Sequence, residues 1–185
     1  MKYDPNEMIA MLRQHEGSEY NDQGQLISYF DKVPKKGKPD GTLTVGYGHK
    51  VLEGDVDIYG KPIVSTNQIV SEEQALKWFE QDTRKAIRQA SSIQGFDRMS
   101  ANRQMAMIDL TFNMGFGWTA EFKKGFMLLK RAAELDDPIR SENLYRAAAD
   151  ELRYFDGRRK DLGPSKYSMQ TKTRAVKISG LVEDG

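Results

Sequence analysis

The strongest constraint on this chain is a change of texture along it. After Gly17, seven glycines (Gly24, Gly37, Gly41, Gly46, Gly48, Gly54 and Gly60) cut the chain up to Pro62 into runs too short for a helix. Two of these runs, 26–30 and 42–45, are rich in β-branched and aromatic residues and read as strands. Between them lies Lys35-Lys36-Gly37-Lys38-Pro39-Asp40-Gly41, whose Pro-Asp-Gly is a turn pattern, so the segment predicts a β-hairpin with a long basic tip. Residues 49–70 read as a surface loop or an irregular third strand. On both flanks the period becomes helical. Met8, Ile9, Met11 and Leu12 share a face after Pro5, predicting a helix over 5–15. Ser71-Glu72-Glu73-Gln74 is a capping box, and Ala75, Trp78, Phe79, Ala86, Ile87 and Ala90 carry a helix from there to about 91. Further helices are predicted over 100–114, 119–134, 141–155 and 171–178. The expected class is α+β in a single domain, with a β lobe over 17–70, a long joining helix over 71–91 and a helical lobe from 1–16 and 92–185.

Composition narrows the function. The 185 residues hold 28 Lys+Arg against 27 Asp+Glu, a net charge of +1, and are 38% hydrophobic. That is too apolar for a disordered tail and too neutral for a dedicated nucleic-acid binder, so no nucleic-acid partner is expected. Apolar runs are too short to cross a bilayer, no secretory h-region follows Met1, and no stable membrane association is expected. With no cysteine, disulfides and thiolate chemistry are excluded. The two histidines, His15 and His49, form no H-E-x-x-H, and neither G-x-S-x-G nor a Walker A sequence occurs. No metal and no cofactor are expected, and carboxylate chemistry remains.

Glu16 stands at the end of the first helix, directly before Gly17. The negative end of a helix dipole disfavours an ionised carboxylate, which suits a general acid, although Glu-Gly at a helix end is also a common exposed terminus. More weight comes from Tyr29-x-Asp31 and Thr44-Val45-Gly46-Tyr47-Gly48-His49. With Glu16-Gly17, this set resembles the bacteriophage-type lysozymes, the endolysins of glycoside hydrolase family 24. Residues 70–82 resemble the family's interlobe helix, 111–115 with Phe122 its central buried helix and following turn, and 167–174 its C-terminal segment near the cleft.

The resemblance implies a lysozyme-like fold and hydrolysis of the β-1,4 bond between N-acetylmuramic acid and N-acetylglucosamine in peptidoglycan. It implies Glu16 as the acid, Asp31 as the carboxylate handling the attacking water, and Thr44 as the hydroxyl holding that water. Phe112, Asn113 and Gln170 fall at substrate-binding positions. His49 and Asp82 fall where the hairpin lobe and the long helix can pair, and Arg174 where a guanidinium can tune the acid. The spacings depart from the family's. Fourteen residues separate Glu16 from Asp31 and twelve separate Asp31 from Thr44, both more than is usual, so a longer first loop and an extended hairpin bearing Lys32, Lys35, Lys36 and Lys38 are expected. A second Tyr-x-Asp ends at Asp22, but Asp31 is preferred because it sits on a strand pairing with Thr44. Trp118 reads either as a sugar platform or as packing, and Met105, Met107, Met114 and Met127 as core filler. Arg158-Arg159-Lys160 reads as a solvated basic face. A monomer is expected, made in a host cytoplasm and reaching the wall through a holin or inside a virion. A lytic transglycosylase and a non-catalytic glycan binder of lysozyme fold are the competing readings.

Overall fold

In a computed structural model the chain is described over residues 2–31, 41–153 and 173–185. The hairpin-tip lysines Lys32, Lys35, Lys36 and Lys38, the Arg158-Arg159-Lys160 cluster and Gln170 lie outside the described residues. The architecture is α+β, as expected from the sequence. It divides into two compact units, one of Met11–Arg84 and one of Met1–Ala10 with Lys85–Gly185. The boundaries fall inside α1 (Pro5–His15) and α2 (Glu72–Ser91), two helices whose own limits lie close to the predicted ones.

The smaller unit is built on a three-stranded antiparallel sheet in the order β1 (Tyr29–Phe30), β2 (Leu43–Val45), β3 (His49–Lys50). Tyr29 pairs with Thr44, Phe30 with Leu43, Thr44 with Lys50 and Val45 with His49. Strand alternation therefore separates two faces. Val45 joins Leu26, Ile63, Val70, Ala75 and Trp78 in a small core that Leu43 cushions, while Tyr29 and Thr44 face the other way. The first strand is shorter than predicted. Leu26 and Ile27 are extended, but they bridge to Tyr20 and Ile69 instead of joining β2. Residues 51–70 form the loop anticipated beyond β3, fastened by hydrogen bonds from Ser28 N to Gln68 O and from Ile58 N to Ile69 O.

In the larger unit α3 (Ala101–Met114) is buried continuously from Arg103 to Thr111, and the Ser100 hydroxyl caps its start by accepting from Arg103 N. It packs against α7 (Thr173–Glu183), α7 against α6 (Pro138–Arg153), and α6 against α5 (Lys123–Glu134). The single helix predicted over 119–134 is two. Phe122, with φ −102° and ψ 44°, leaves helical geometry between α4 (Trp118–Glu121) and α5. Trp118 is fully buried, donates from Nε1 to Thr111 Oγ1 at 2.9 Å and meets Phe126 edge-on, so it is a packing residue and offers no sugar platform. Met127 is a correction to the sequence reading. It is 61% exposed, because Gly125, Leu129, Ala132 and Ala133 define the buried stripe of α5 and 127 falls on the opposite side. The last helix runs on past 178 to Glu183, where Arg103 donates to the carbonyls of Val182 and Glu183 and so satisfies acceptors of the helix end. No described helix is long and apolar enough to cross a membrane.

Gly46, in the β2–β3 turn, has φ +58°, and a Cβ built there would stand 2.7 Å from Ala75 Cβ on α2. Strain and overpacking together make Gly46→Ala destabilising by about 2–4 kcal/mol. Combined with Ala75→Gly, the loss should be smaller than the sum of the two single losses by about 1 kcal/mol or more. Denaturant unfolding of the cycle checks this, and strict additivity would show that the close approach is not the reason for the glycine.

Candidate active site

The residues singled out from the sequence fall into two local groups, each within one unit. The first surrounds the end of α1. Glu16 extends the helix by one hydrogen bond, from its N–H to Leu12 O at 3.2 Å, and is half-buried. Its carboxylate lies against the β2–β3 turn: a Cβ on Gly48 would stand 2.5 Å from Glu16 Oε2, and φ there is +80°. The positive φ favours glycine, and a side chain there would have to push the Glu16 carboxylate from its place. Tyr29 closes the group from the sheet, its hydroxyl donating to Gly17 O at 3.4 Å. Burial and then the charges of Glu16, Glu19 and Asp31 push the Tyr29 phenol up to about 12. Tyr29 thus has both candidate carboxylates as electrostatic neighbours and Thr44 as its cross-strand partner.

Asp31 continues the hairpin ladder. Its N–H donates to Thr42 O at 3.0 Å, and its Oδ1 accepts from Thr42 N at 2.7 Å. One carboxylate oxygen is thereby fixed by the backbone of the facing strand. Thr44 is buried, and its hydroxyl donates to Thr42 O at 2.9 Å, so what remains for a water is acceptor capacity at Oγ1. Asp22 stands elsewhere. It is exposed in a turn whose ends are tied by Asn21, with Asn21 Oδ1 accepting from Gln23 N and Gln25 N.

His49 lies on the core side of the same sheet, stacked on Trp78 with ring centroids 4.9 Å apart. Its Nδ1 meets Asp82 at 2.7 Å, as the sequence positions anticipated, and its Nε2 meets Asp55 at 3.0 Å. Asp55, on the 51–70 loop, had no signal in the sequence beyond its charge. Burial lowers the His49 pKa, but hydrogen bonds and charge from Asp82 and then Asp55 more than offset it, and the net direction is upward.

The second group is at the C-terminal end of α3. Asp109, fully buried, holds Arg174 with Nε to Oδ1 at 2.9 Å and Nη2 to Oδ2 at 3.2 Å. Asn113, its amide oxygen turned to the guanidinium, accepts from Arg174 Nε at 3.2 Å and Nη1 at 3.0 Å. Phe112 and Asn113 are partly exposed, just where the buried run of α3 stops. Asp109 was missed in the sequence because an Asp amid Ile108 and Leu110 carries no periodic signal of its own.

A histidine with a raised folded-state pKa stabilises fully below its unfolded value of about 6.5, and that contribution fades as pH rises through the higher folded value. Replacing it, as in His49→Gln, should therefore cost about 1.5–3 kcal/mol near pH 6 and clearly less near pH 9. Urea unfolding at the two pH values measures the difference, and an equal cost at both would mean that the imidazolium is not what the two aspartates hold.

Comparison with known proteins bears on residues 29–161, which match the family described as phage lysozyme. That span includes Asp31, Thr44, His49, Asp82 and Asn113 and begins after Glu16. The whole chain is also similar, at 24% identity over 189 residues and 92% of the relative's length, to a protein of Dictyostelium discoideum described as probable T4-type lysozyme 2. With most of its length matched, including the hairpin that carries Asp31 and Thr44, the chain belongs to the phage lysozyme family.

Proposed function

We propose that this protein is a muramidase that hydrolyses the β-1,4 bond between N-acetylmuramic acid and N-acetylglucosamine and so lyses bacterial walls. Glu16 is the general acid, giving its proton to the glycosidic oxygen as the bond to the sugar's anomeric carbon breaks. Asp31 takes a proton from the water that attacks that carbon, and Thr44 orients the same water by accepting its other hydrogen. An inverting hydrolysis of this kind needs two carboxyl groups roughly 6.5–9.5 Å apart, with room for a water between them. No cofactor takes part.

The observation that carries this reading is the neighbourhood of Tyr29: its phenol feels Glu16 and Asp31 together, and Thr44 is its cross-strand partner. Asp31 is also favoured over Asp22 because it continues the hairpin ladder opposite Thr42, two residues from Thr44, whereas Asp22 is exposed in the Asn21 turn. The division of labour also has a geometric basis. One oxygen of Asp31 is held by Thr42 N, which leaves the other for a water, and the Glu16 carboxylate lies against Gly48, where the turn has no side chain. Membership of the phage lysozyme family supports peptidoglycan as the substrate.

Clearing of outer-membrane-permeabilised Gram-negative cells tests the assignment. Glu16→Gln and Asp31→Asn should each lower the rate by about 100–10,000-fold while remaining folded, the range for a general acid or base. Muropeptides from the wild-type digest should carry reducing ends. Persistent clearing by Asp31→Asn, or anhydromuramic ends in the products, would replace hydrolysis with a single-glutamate transglycosylase. Wall binding by a folded wild type that clears nothing would make the protein a glycan binder.

A further inference from the structure

The 51–70 loop is an unusual place to find apolar side chains outward. Leu52, Val56, Ile58, Tyr59 and Val64 are all exposed on it, with relative exposures from 41% to 77%. Yet the backbone beneath them is fixed. Asp57 Oδ1 accepts from Tyr59 N and Lys61 N, both at 2.9 Å. Gln68 Oε1 accepts from Val64 N and Ser65 N, and its Nε2 donates to Pro62 O. A rigid display of this kind loses little entropy when something binds to it.

Beside this display is a groove of about 270 Å³, lined among others by Tyr20, Gln25, Leu26, Ile58, Ile69 and Glu72. None of Glu16, Asp31 and Thr44 lines it. Its volume, just under the ~300–1,000 Å³ typical of ligand pockets, suits one sugar ring better than an extended chain. Tyr20 is 54% exposed and offers an aromatic ring. Leu26 is buried as an apolar floor, with Ile58 at the rim. Gln25 Oε1 accepts from Asn21 Nδ2, which leaves the Gln25 NH2 as a donor, and Glu72 accepts from the Tyr47 hydroxyl through one of its two oxygens. Glu72 is the one charged side chain among the described lining residues, so the groove disfavours phosphates and carboxylates.

From this combination we infer that the Tyr20–Ile58–Glu72 groove is an accessory subsite for a neutral N-acetylhexosamine of the wall glycan. The C–H face of the pyranose lies on Tyr20, the acetamido methyl on the apolar floor, and the hydroxyls bond to Gln25 and Glu72. The inference rests on the muramidase reading for the identity of the polymer. Its role is retention: the enzyme stays on an insoluble strand while its catalytic residues act elsewhere.

The test measures binding and turnover separately. In a Glu16→Gln background, sedimentation with purified sacculi and with peptide-free glycan strands should show Tyr20→Ala weakening both associations about tenfold, with Tyr20→Phe restoring them. Tyr20→Ala alone should leave hydrolysis of a short soluble oligosaccharide within about twofold of wild type. Undiminished binding by Tyr20→Ala would overturn the subsite. Binding to sacculi but not to peptide-free strands would also overturn it, in favour of a stem-peptide site. Equal loss of soluble turnover would place Tyr20 in the main site instead. Should the wild type hydrolyse nothing, the muramidase reading fails while the sedimentation comparison still decides the groove.

Discussion

The close approach of backbone at the β2–β3 turn governs the geometry of the smaller unit. Two glycines two residues apart, Gly46 and Gly48, each adopt positive φ and each meet a neighbour where a Cβ would stand, Ala75 on one and the Glu16 carboxylate on the other. The turn therefore sits against α2 at one residue and against the end of α1 at the next. That double contact ties a carboxylate borne on a helix terminus to a sheet that carries Thr44 on β2 and Asp31 just past β1. A helix end by itself positions a side chain loosely, since terminal turns fray. Here the constraint comes from the partner surface, which has no side chain to yield.

The sheet is too small to hold itself together, with strands of two and three residues. Its stability comes from its two faces. On one, Val45 and Leu43 pack into the Trp78 cluster, and His49 extends that packing by stacking on the same indole. On that edge the imidazole also meets carboxylates from two directions, Asp82 on α2 and Asp55 on the loop. Half-exposed ion pairs contribute little, but His49 is only 5% exposed, so its two hydrogen bonds form where water competes poorly. The result joins sheet, helix and loop through one ring. The opposite face, with Tyr29 and Thr44, is thereby relieved of structural duty and is left to carry polar groups.

Much of this was legible in the sequence, for identifiable reasons. The helices appear because their apolar periods are long, and the α2 start because Ser71 does accept from Gln74 N at 3.1 Å. The glycine-rich third reads correctly as strands and turns because glycine and β-branched residues alternate there on a scale no helix tolerates. What failed did so where tertiary partners override local signals. Leu26 and Ile27 look like part of a strand, but Tyr20 and Ile69 claim them. Met127 looks like core, but its neighbours fix the buried stripe of α5 elsewhere. The helix break at Phe122 has no glycine or proline to announce it. Among the candidate residues, Glu16, Asp31 and Thr44 were nameable through motif resemblance, whereas Asp55 in the one unit and Asp109 in the other were not, because a carboxylate that serves a partner distant in sequence leaves no periodic trace.

Asp109 shows what such a hidden group does. A fully buried carboxylate is costly unless its charge is answered, and the bidentate grip of Arg174 answers it while Asn113 takes further guanidinium hydrogens. The planar fork fixes the guanidinium in orientation as well as in place, which a lysine could not do. The arrangement ties α7 to α3 at the point where α3 emerges from burial at Phe112 and Asn113. Packing alone would let two helices slide by a fraction of a turn, because apolar contacts are non-directional. A buried fork pairing does not permit that slide, since a displaced guanidinium would leave a charge unpaired in a water-poor interior. The polar end of α3 is thus held by direction-dependent bonds, and its partly exposed residues keep a defined geometry without being buried themselves.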